Sequence, residues 1–181
     1  MARIMAVKAR ELFVGDKIGI EAMVATDDGC LGVNLVTPGL SVGIHEADFL
    51  YDGGARYGGK GVLNAVHNVN EIIAPLLKGV DVTDQSRIDQ IMLDLYLKGR
   101  KIGYNSISSV SGAVVKAAAK GLGLTLYEYL GRTEHKVHRL PVPVIYIPIG
   151  DSRRVRIAGG KPDYSLAVSY THLTLPTKRI V

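Results

Sequence analysis

The chain has no tryptophan and only two phenylalanines in 181 residues. Aromatic residues, mostly tyrosine, make up 6% of the chain, so the flat rings on which single-stranded nucleic acids stack are scarce. Cys30 is the only cysteine, so no disulfide can form within the chain and its stability must come from a packed core. A lone thiol also fits a reducing compartment. No apolar run approaches the roughly 18 residues of a membrane span. The opening Met1-Ala2-Arg3-Ile4-Met5 lacks the apolar stretch of a secretory signal. These absences point to a cytoplasmic protein that binds neither membrane nor nucleic acid.

A sustained excess of one charge is missing as well. The formal net charge is +5, but it is unevenly placed. Residues 151–181 hold six basic side chains (Arg153, Arg154, Arg156, Lys161, Lys178, Arg179) against Asp151 and Asp163. The first 150 residues carry a net of only +1, too little for an electrostatic footprint on nucleic acid. What is present is ordinary for a globular protein: 47% hydrophobic and 22% charged residues. That length suits one complete domain, or one domain and a piece of a second.

The first 36 residues read as strands. Ile4 to Phe13 is the first, and Val14-Gly15-Asp16 a turn. Ile18, Ile20, Ala22 and Val24 alternate with Lys17, Gly19, Glu21 and Met23, which marks a half-buried strand. Asp27-Asp28-Gly29 is a hairpin turn, and Leu31 to Val36 completes an antiparallel meander. The period then becomes helical. Val62, Ala65, Val66, Val69, Ile72, Ile73, Leu76 and Leu77 fall at three- and four-residue spacing, with Gly79 closing the helix. Thr83 is the expected cap of a second helix through Ile88, Ile91, Met92, Leu95 and Tyr96. A third spans Asn105 to Leu122; its serines and alanines should permit close packing. A fourth spans Leu124 to Leu130 and ends at Gly131. Strands followed by helices give an α+β fold, a three-stranded antiparallel meander and then a helical bundle. Polarity rises at Arg132 to Arg139, which sets a boundary. Leu140-Pro141-Val142-Pro143-Val144-Ile145-Tyr146-Ile147 then reads as a new strand, and residues 151–181 lose periodicity.

Several patterns invite a chemical reading. Gly54-Ala55-Arg56-Tyr57-Gly58-Gly59-Lys60 spells most of a phosphate-binding loop, but the next position is Gly61, where that motif needs a hydroxyl for magnesium. The plain reading is a loop entering the helix at Val62; the chemical one is a nucleotide binder that depends on Lys60. Gly121-Leu122-Gly123 reads as a helix cap. His67 falls within a helix. His135 and His138 lack a partner pair at zinc spacing, and no serine or cysteine sits in a nucleophile elbow. The remaining candidate is Gly39-Leu40-Ser41-Val42-Gly43. It has two glycines that allow unusual backbone angles, and a serine whose oxygens suit a hard cation such as Mg²⁺.

Longer stretches resemble the enolase (phosphopyruvate hydratase) family. Thr37-Pro38-Gly39-Leu40-Ser41-Val42-Gly43-Ile44-His45-Glu46-Ala47 is similar to that family's S-G-A-S-T-G-x-H-E-A loop. Arg56 through Pro75 matches R-Y-x-G-K-G-V-x-x-A-V-x-N-V-N-x-x-I-A-P, and Asp81-Val82-Thr83-Asp84-Gln85 matches D-V-T-D-Q. Ile102 to Ile107 is similar to L-G-A-N-A-I; Leu126–Gly131 and Leu140–Pro143 match L-Y-x-Y-L-G and L-P-V-P. The resemblance covers residues 6–150. It implies that residues 1–139 are an N-terminal capping domain and that 140–168 are the first strand or strands of a truncated α/β barrel. Residues 169–181 have no family counterpart and read as a non-native or disordered tail.

The implied activity is that of a glycolytic lyase, the Mg²⁺-dependent reversible dehydration of 2-phosphoglycerate to phosphoenolpyruvate in a cytoplasmic homo-oligomer, a dimer or larger. The capping loop would close over substrate with Ser41 ligating magnesium, Gly39 and Gly43 flanking it, and His45 and Glu46 in support. No catalytic residue is expected within these 181 residues, because the base lysine and carboxylate ligands belong to the barrel; the chain alone is expected to be inactive. The resemblance also has departures. The family's first hairpin is replaced by Val14 to Ala22, about one residue shorter. Leu40 and Val42 stand where the family has Ala and Thr, and Arg153 where a substrate-contacting histidine belongs. The alternative these suggest is a non-catalytic or chemically altered paralogue acting in subunit or partner binding.

Overall fold

The computed structural model describes residues 2–39, 45–133, 144–147 and 166–169. Two compact units divide the chain, Met1–Lys136 and Val137–Val181.

Unit one opens with strands β1 (Ile4–Val14), β2 (Lys17–Thr26) and β3 (Leu31–Val36), an antiparallel sheet in that order. Val14 pairs with Lys17, so β1 runs one residue beyond the expected Phe13 and the turn shrinks to Gly15-Asp16, with Gly15 at φ +59°. Ile18, Ile20, Ala22 and Val24 are buried as their alternation requires. Both outer edges are blunted. On β1, the Asn70 side-chain amide exchanges hydrogen bonds with Ala9 N–H (2.8 Å) and Ala9 C=O (3.2 Å), as a neighbouring strand would. On β3, Lys116 and Lys120 donate to the Val33 and Leu31 carbonyls.

The helical half contains α1 (Leu63–His67), a wider π-type segment (Asn68–Ile73), α2 (Ala74–Leu77), α3 (Gln85–Leu97), α4 (Tyr104–Gly121) and α5 (Leu126–Thr133). The expected first helix is thus present but not uniform. Its coil widens just ahead of Pro75, which has no N–H to donate to the preceding turn. One face (Val62, Ala65, Val69, Ile73, Leu77) is fully buried, whereas Leu76 is 47% exposed.

Long helix α4 lies directly on β3. A methyl group at Gly32 would collide with Ala113 O and lie 2.5 Å from Ala117 N. The close packing expected of the Ser/Ala-rich helix is therefore a backbone-to-backbone approach. Ser106 and Ser109 are fully buried because their hydroxyls donate back to carbonyls, at 2.8 Å to Ile102 and 2.9 Å to Ser106.

Two helix ends differ from expectation. Asp84, not Thr83, caps α3 by accepting from Arg87 N–H (3.2 Å). Thr83 is committed one turn earlier, its N–H and hydroxyl both donating to Asp81 Oδ1. Helix α5 begins at Leu126 and continues through Gly131 to Thr133. Leu124 is instead spent on the end of α4, where its N–H donates to Ala119 O and Gly123 adopts φ +67°, a Schellman closure. The cap reading of Gly121-Leu122-Gly123 holds.

In unit two the described residues form one antiparallel pair, β4 (Val144–Ile147) with β5 (Leu166–Ser169). The expected boundary at residue 139 and all of the expected tail except Ser169 lie outside the described residues.

Candidate functional site

The glycine-rich entry to α1 is where a phosphate would sit if the chain carried a phosphate-binding loop, because a helix start offers unpaired N–H groups and a positive dipole end. Those groups are already taken. Asp52 accepts from Leu63 N–H (2.9 Å) and Asn64 N–H (2.7 Å), and Glu11 on β1 accepts from Val62 N–H (2.8 Å). Arg56 sits between the carboxylates. It forks onto Glu11, with Nη1 donating to Oε2 at 3.0 Å and Nη2 to Oε1, and lies 3.6 Å from Asp52 Oδ2. The Arg56 hydrogen bonds hold the Glu11 carboxyl below the usual glutamate range, against an opposing effect of burial and with help from Val62 N–H.

Glycine at position 61 has a steric cause. A side chain there would collide with Asp52 Oδ2 and reach within 2.9 Å of Arg56 Nη1. The magnesium-binding hydroxyl of a nucleotide loop therefore cannot be accommodated at this position, and the space for a phosphate is filled by the chain's own carboxylates. The near-motif is a latch tying the Gly-rich loop to β1. Tyr57 completes it at φ +51°, with the Arg56 guanidinium 4.4 Å above its ring and Phe13 edge-on at 5.0 Å.

The expected substrate loop leaves the sheet at the end of β3. Lys17 Nζ donates to Pro38 O (2.9 Å), which fixes the last residues before Gly39. Gly39 is exposed; Ser41 and Gly43 lie outside the described residues. His45 and Glu46 are exposed where the description resumes, in a turn. Glu46 stands near enough to Tyr104 to help raise its phenol pKa, second to burial.

The chain is then captured by the start of α4. Tyr104 N–H donates to Asp48 O (3.0 Å). The fully buried Asn105 amide accepts from Leu50 N–H (3.0 Å) and donates to Leu50 O (3.1 Å). Phe49 packs against Tyr51 at a tilt (4.7 Å) and edge-on against Tyr104 (5.5 Å). Both ends of the loop are thus anchored to the rigid part of unit one.

Asn105, Glu11 and Asp52 carry this arrangement, and none of them is a site candidate from the sequence. Each acts on a segment at least 11 residues away, so no local pattern marks it. The nearest hint is Asn105, in the stretch similar to L-G-A-N-A-I.

Among the described residues no group of three or more His, Cys, Asp or Glu side chains is placed to hold a metal ion. These residues do not by themselves make a Mg²⁺ site. His67 is exposed on α1; His135 and His138 lie outside the described residues. No helix among the described residues is long and apolar enough to cross a membrane.

With this geometry in place, comparison with known proteins is direct. Residues 4–130 match the family model for the N-terminal domain of enolase. The chain is 45% identical over 169 residues to an enolase of Methanopyrus kandleri, an alignment covering 91% of this chain and 38% of that protein. It is 46% identical over 155 residues to an enolase of Corynebacterium kroppenstedtii, covering 83% of this chain and 35% of that protein. The chain thus spans little more than a third of the length of these relatives. The sheet of β1–β3, the helices behind it and the loop strung between them form an enolase N-terminal domain, and the chain belongs to the enolase family.

Proposed function

We propose that this chain is the capping part of a phosphopyruvate hydratase, a cytoplasmic, homo-oligomeric glycolytic enzyme that reversibly dehydrates 2-phosphoglycerate to phosphoenolpyruvate with Mg²⁺. The observation that carries the reading is the family match over residues 4–130 together with relatives named enolase at 45–46% identity.

In this reading the chain's own contribution is positional. Lys17 and Asn105 fix the two ends of the segment from Gly39 to Glu46, and Ser41 offers one oxygen to a magnesium whose other ligands come from a barrel. His45 and Glu46 support the loop's return. Residues 140–168 begin that barrel. Such catalysis needs the metal ligands and the base held together around one substrate, so one ligand without the rest confers no turnover.

The test is a chimera in which residues 1–139 of this chain are followed by the barrel portion of the Methanopyrus kandleri enolase. Phosphoenolpyruvate should form from 2-phosphoglycerate in a Mg²⁺-dependent manner, and Ser41→Ala should lower kcat at least about tenfold, as losing a metal ligand does. The 181-residue chain alone should show no turnover. A folded chimera without activity, or one indifferent to Ser41→Ala, overturns the proposal.

A further inference from the structure

Beside the return of the loop, on the side of the α3–α4 connection, the surface holds a cleft of about 560 Å³. That is the size range of small-ligand sites. Its apolar walls are Phe49 and Leu50 from the loop return and Tyr96 and Leu97 from the end of α3. At its rim stand Arg100 and Lys101, both exposed. No hydrogen bond or ion pair to another described residue engages either side-chain cation.

Three features show that the cleft is built rather than incidental. Phe49 is held in a three-ring cluster with Tyr51 and Tyr104. The Asn105 amide fixes the backbone of Leu50 from below. On the opposite wall, Asn68 Nδ2 donates to the Lys101 and Ile102 carbonyls (2.9 and 3.2 Å), while Arg100 N–H closes on Leu95 O. Buried side-chain amides thus fix the backbone of both walls, so binding would order chiefly the Arg100 and Lys101 side chains.

The charge of the lining selects the ligand. Arg100 and Lys101 face one acid, Asp48, which leaves the cleft one positive charge in excess. The excess favours an anion over a cation, and a single carboxylate neutralises it. Arg100 presents the planar fork that pairs with a carboxylate, and the rings of Phe49 and Tyr96 offer faces and edges to another ring. We infer that this cleft is a binding site for a small aromatic carboxylate, separate from the proposed enolase chemistry and independent of it.

Phenylacetate is a suitable probe, with acetate and benzyl alcohol as its two halves, titrated into the full 181-residue chain and followed by amide ¹H–¹⁵N spectra. Saturable shifts should concentrate at Gly99, Lys101 and Gly103, with a Kd in the millimolar range or tighter. Each half should bind at least tenfold more weakly. The double change Arg100→Ala with Lys101→Ala removes only exposed side chains. It should leave the rest of the spectrum in place and weaken phenylacetate at least tenfold. Absence of saturable shifts, equal shifts with acetate alone, or binding that survives the double change would each overturn the assignment.

Discussion

Single residues decide where this fold tolerates change, and their tolerance follows from what surrounds them. Gly32 and Gly112 both lie at the contact of β3 with α4, yet they are not equivalent. A methyl at Gly32 meets the backbone of α4 itself, whereas one at Gly112 meets the side chain of Asn34. Backbone cannot yield without shifting the helix, while a side chain can turn at the cost of its bonds to Ser108 O and Lys116. Gly112 also sits inside α4, where alanine is the better helix former by about 1 kcal/mol. Gly32→Ala should therefore destabilise by ~3 kcal/mol, at the upper end of overpacking costs, and Gly112→Ala by less than half of that. Urea unfolding of the two variants settles it; similar losses at both positions would refute the backbone argument. Glu11 gives a residue-scale prediction in pH. Its carboxyl is held low by the Arg56 hydrogen bonds. Its contribution is then complete above the unfolded value of about 4.3 and is lost as pH falls through the lower folded value. Asp81 is also held low, mainly by Thr83 N–H, so acid unfolding has more than one source. Glu11→Gln should flatten the fall in stability below about pH 5 without abolishing it. An unchanged slope would mean that the Glu11–Arg56 pair is not maintained in solution.

Elements differ in how openly the sequence announces them, and the difference is one of range. Strand β2 is legible because one face is buried and the other is not, so alternation at Ile18, Ile20, Ala22 and Val24 maps straight onto burial. The first helical run is legible by its three- and four-residue spacing, but its widened middle is not. That depends on Pro75 acting inside a helix that is otherwise well packed. Helix starts are the least legible. Thr83 has the residue type of a cap, but its N–H and hydroxyl are both bonded to the Asp81 carboxylate. The cap of α1 comes from Asp52, across a loop of glycines, and from Glu11, on another element. The candidate loop shows the same split. Gly39-Leu40-Ser41-Val42-Gly43 stands out locally as a flexible turn with one hard oxygen and takes on a role only through family resemblance, and the contacts that anchor its ends, Lys17 to Pro38 and Asn105 to Leu50, connect residues 21 and 55 apart. The Asp52 carboxylate accepts two N–H groups at the start of α1. Asp52→Ala should therefore cost about 1–2 kcal/mol, the range of a lost N-cap, with amide exchange at Leu63 and Asn64 rising ahead of the rest of the helix. Uniform loss of protection across unit one would show instead that this latch governs the whole domain.

At the scale of the whole molecule, the relevant fact is how far unit one closes on itself. The buried apolar residues among those described run from Ile4 to Tyr129, all within the matched residues 4–130. Tyr129 closes that set from α5, its hydroxyl donating to Thr83 O at 3.4 Å. The two free sheet edges are occupied by Asn70 on one side and by Lys116 and Lys120 on the other. The starts of α1, α3 and α5 are satisfied by carboxylates of unit one: Asp52, Glu11, Asp84, and Glu128, which accepts from Thr125 N–H and hydroxyl. A domain that fills its own core, blunts its own edges and caps its own helices has what independent folding requires. Residues 1–136 expressed alone should therefore unfold in a single cooperative transition. Their Tm should lie within about 4 °C of the value for the same unit in the 181-residue chain, the shift that ~1 kcal/mol produces at this size. Calorimetry of the two chains tests this. A shorter piece ending at Gly123 removes α5, and with it Tyr129 and the Thr83 contact, and should lose several degrees more. If residues 1–136 instead melt without cooperativity, part of the core would have to be supplied by unit two.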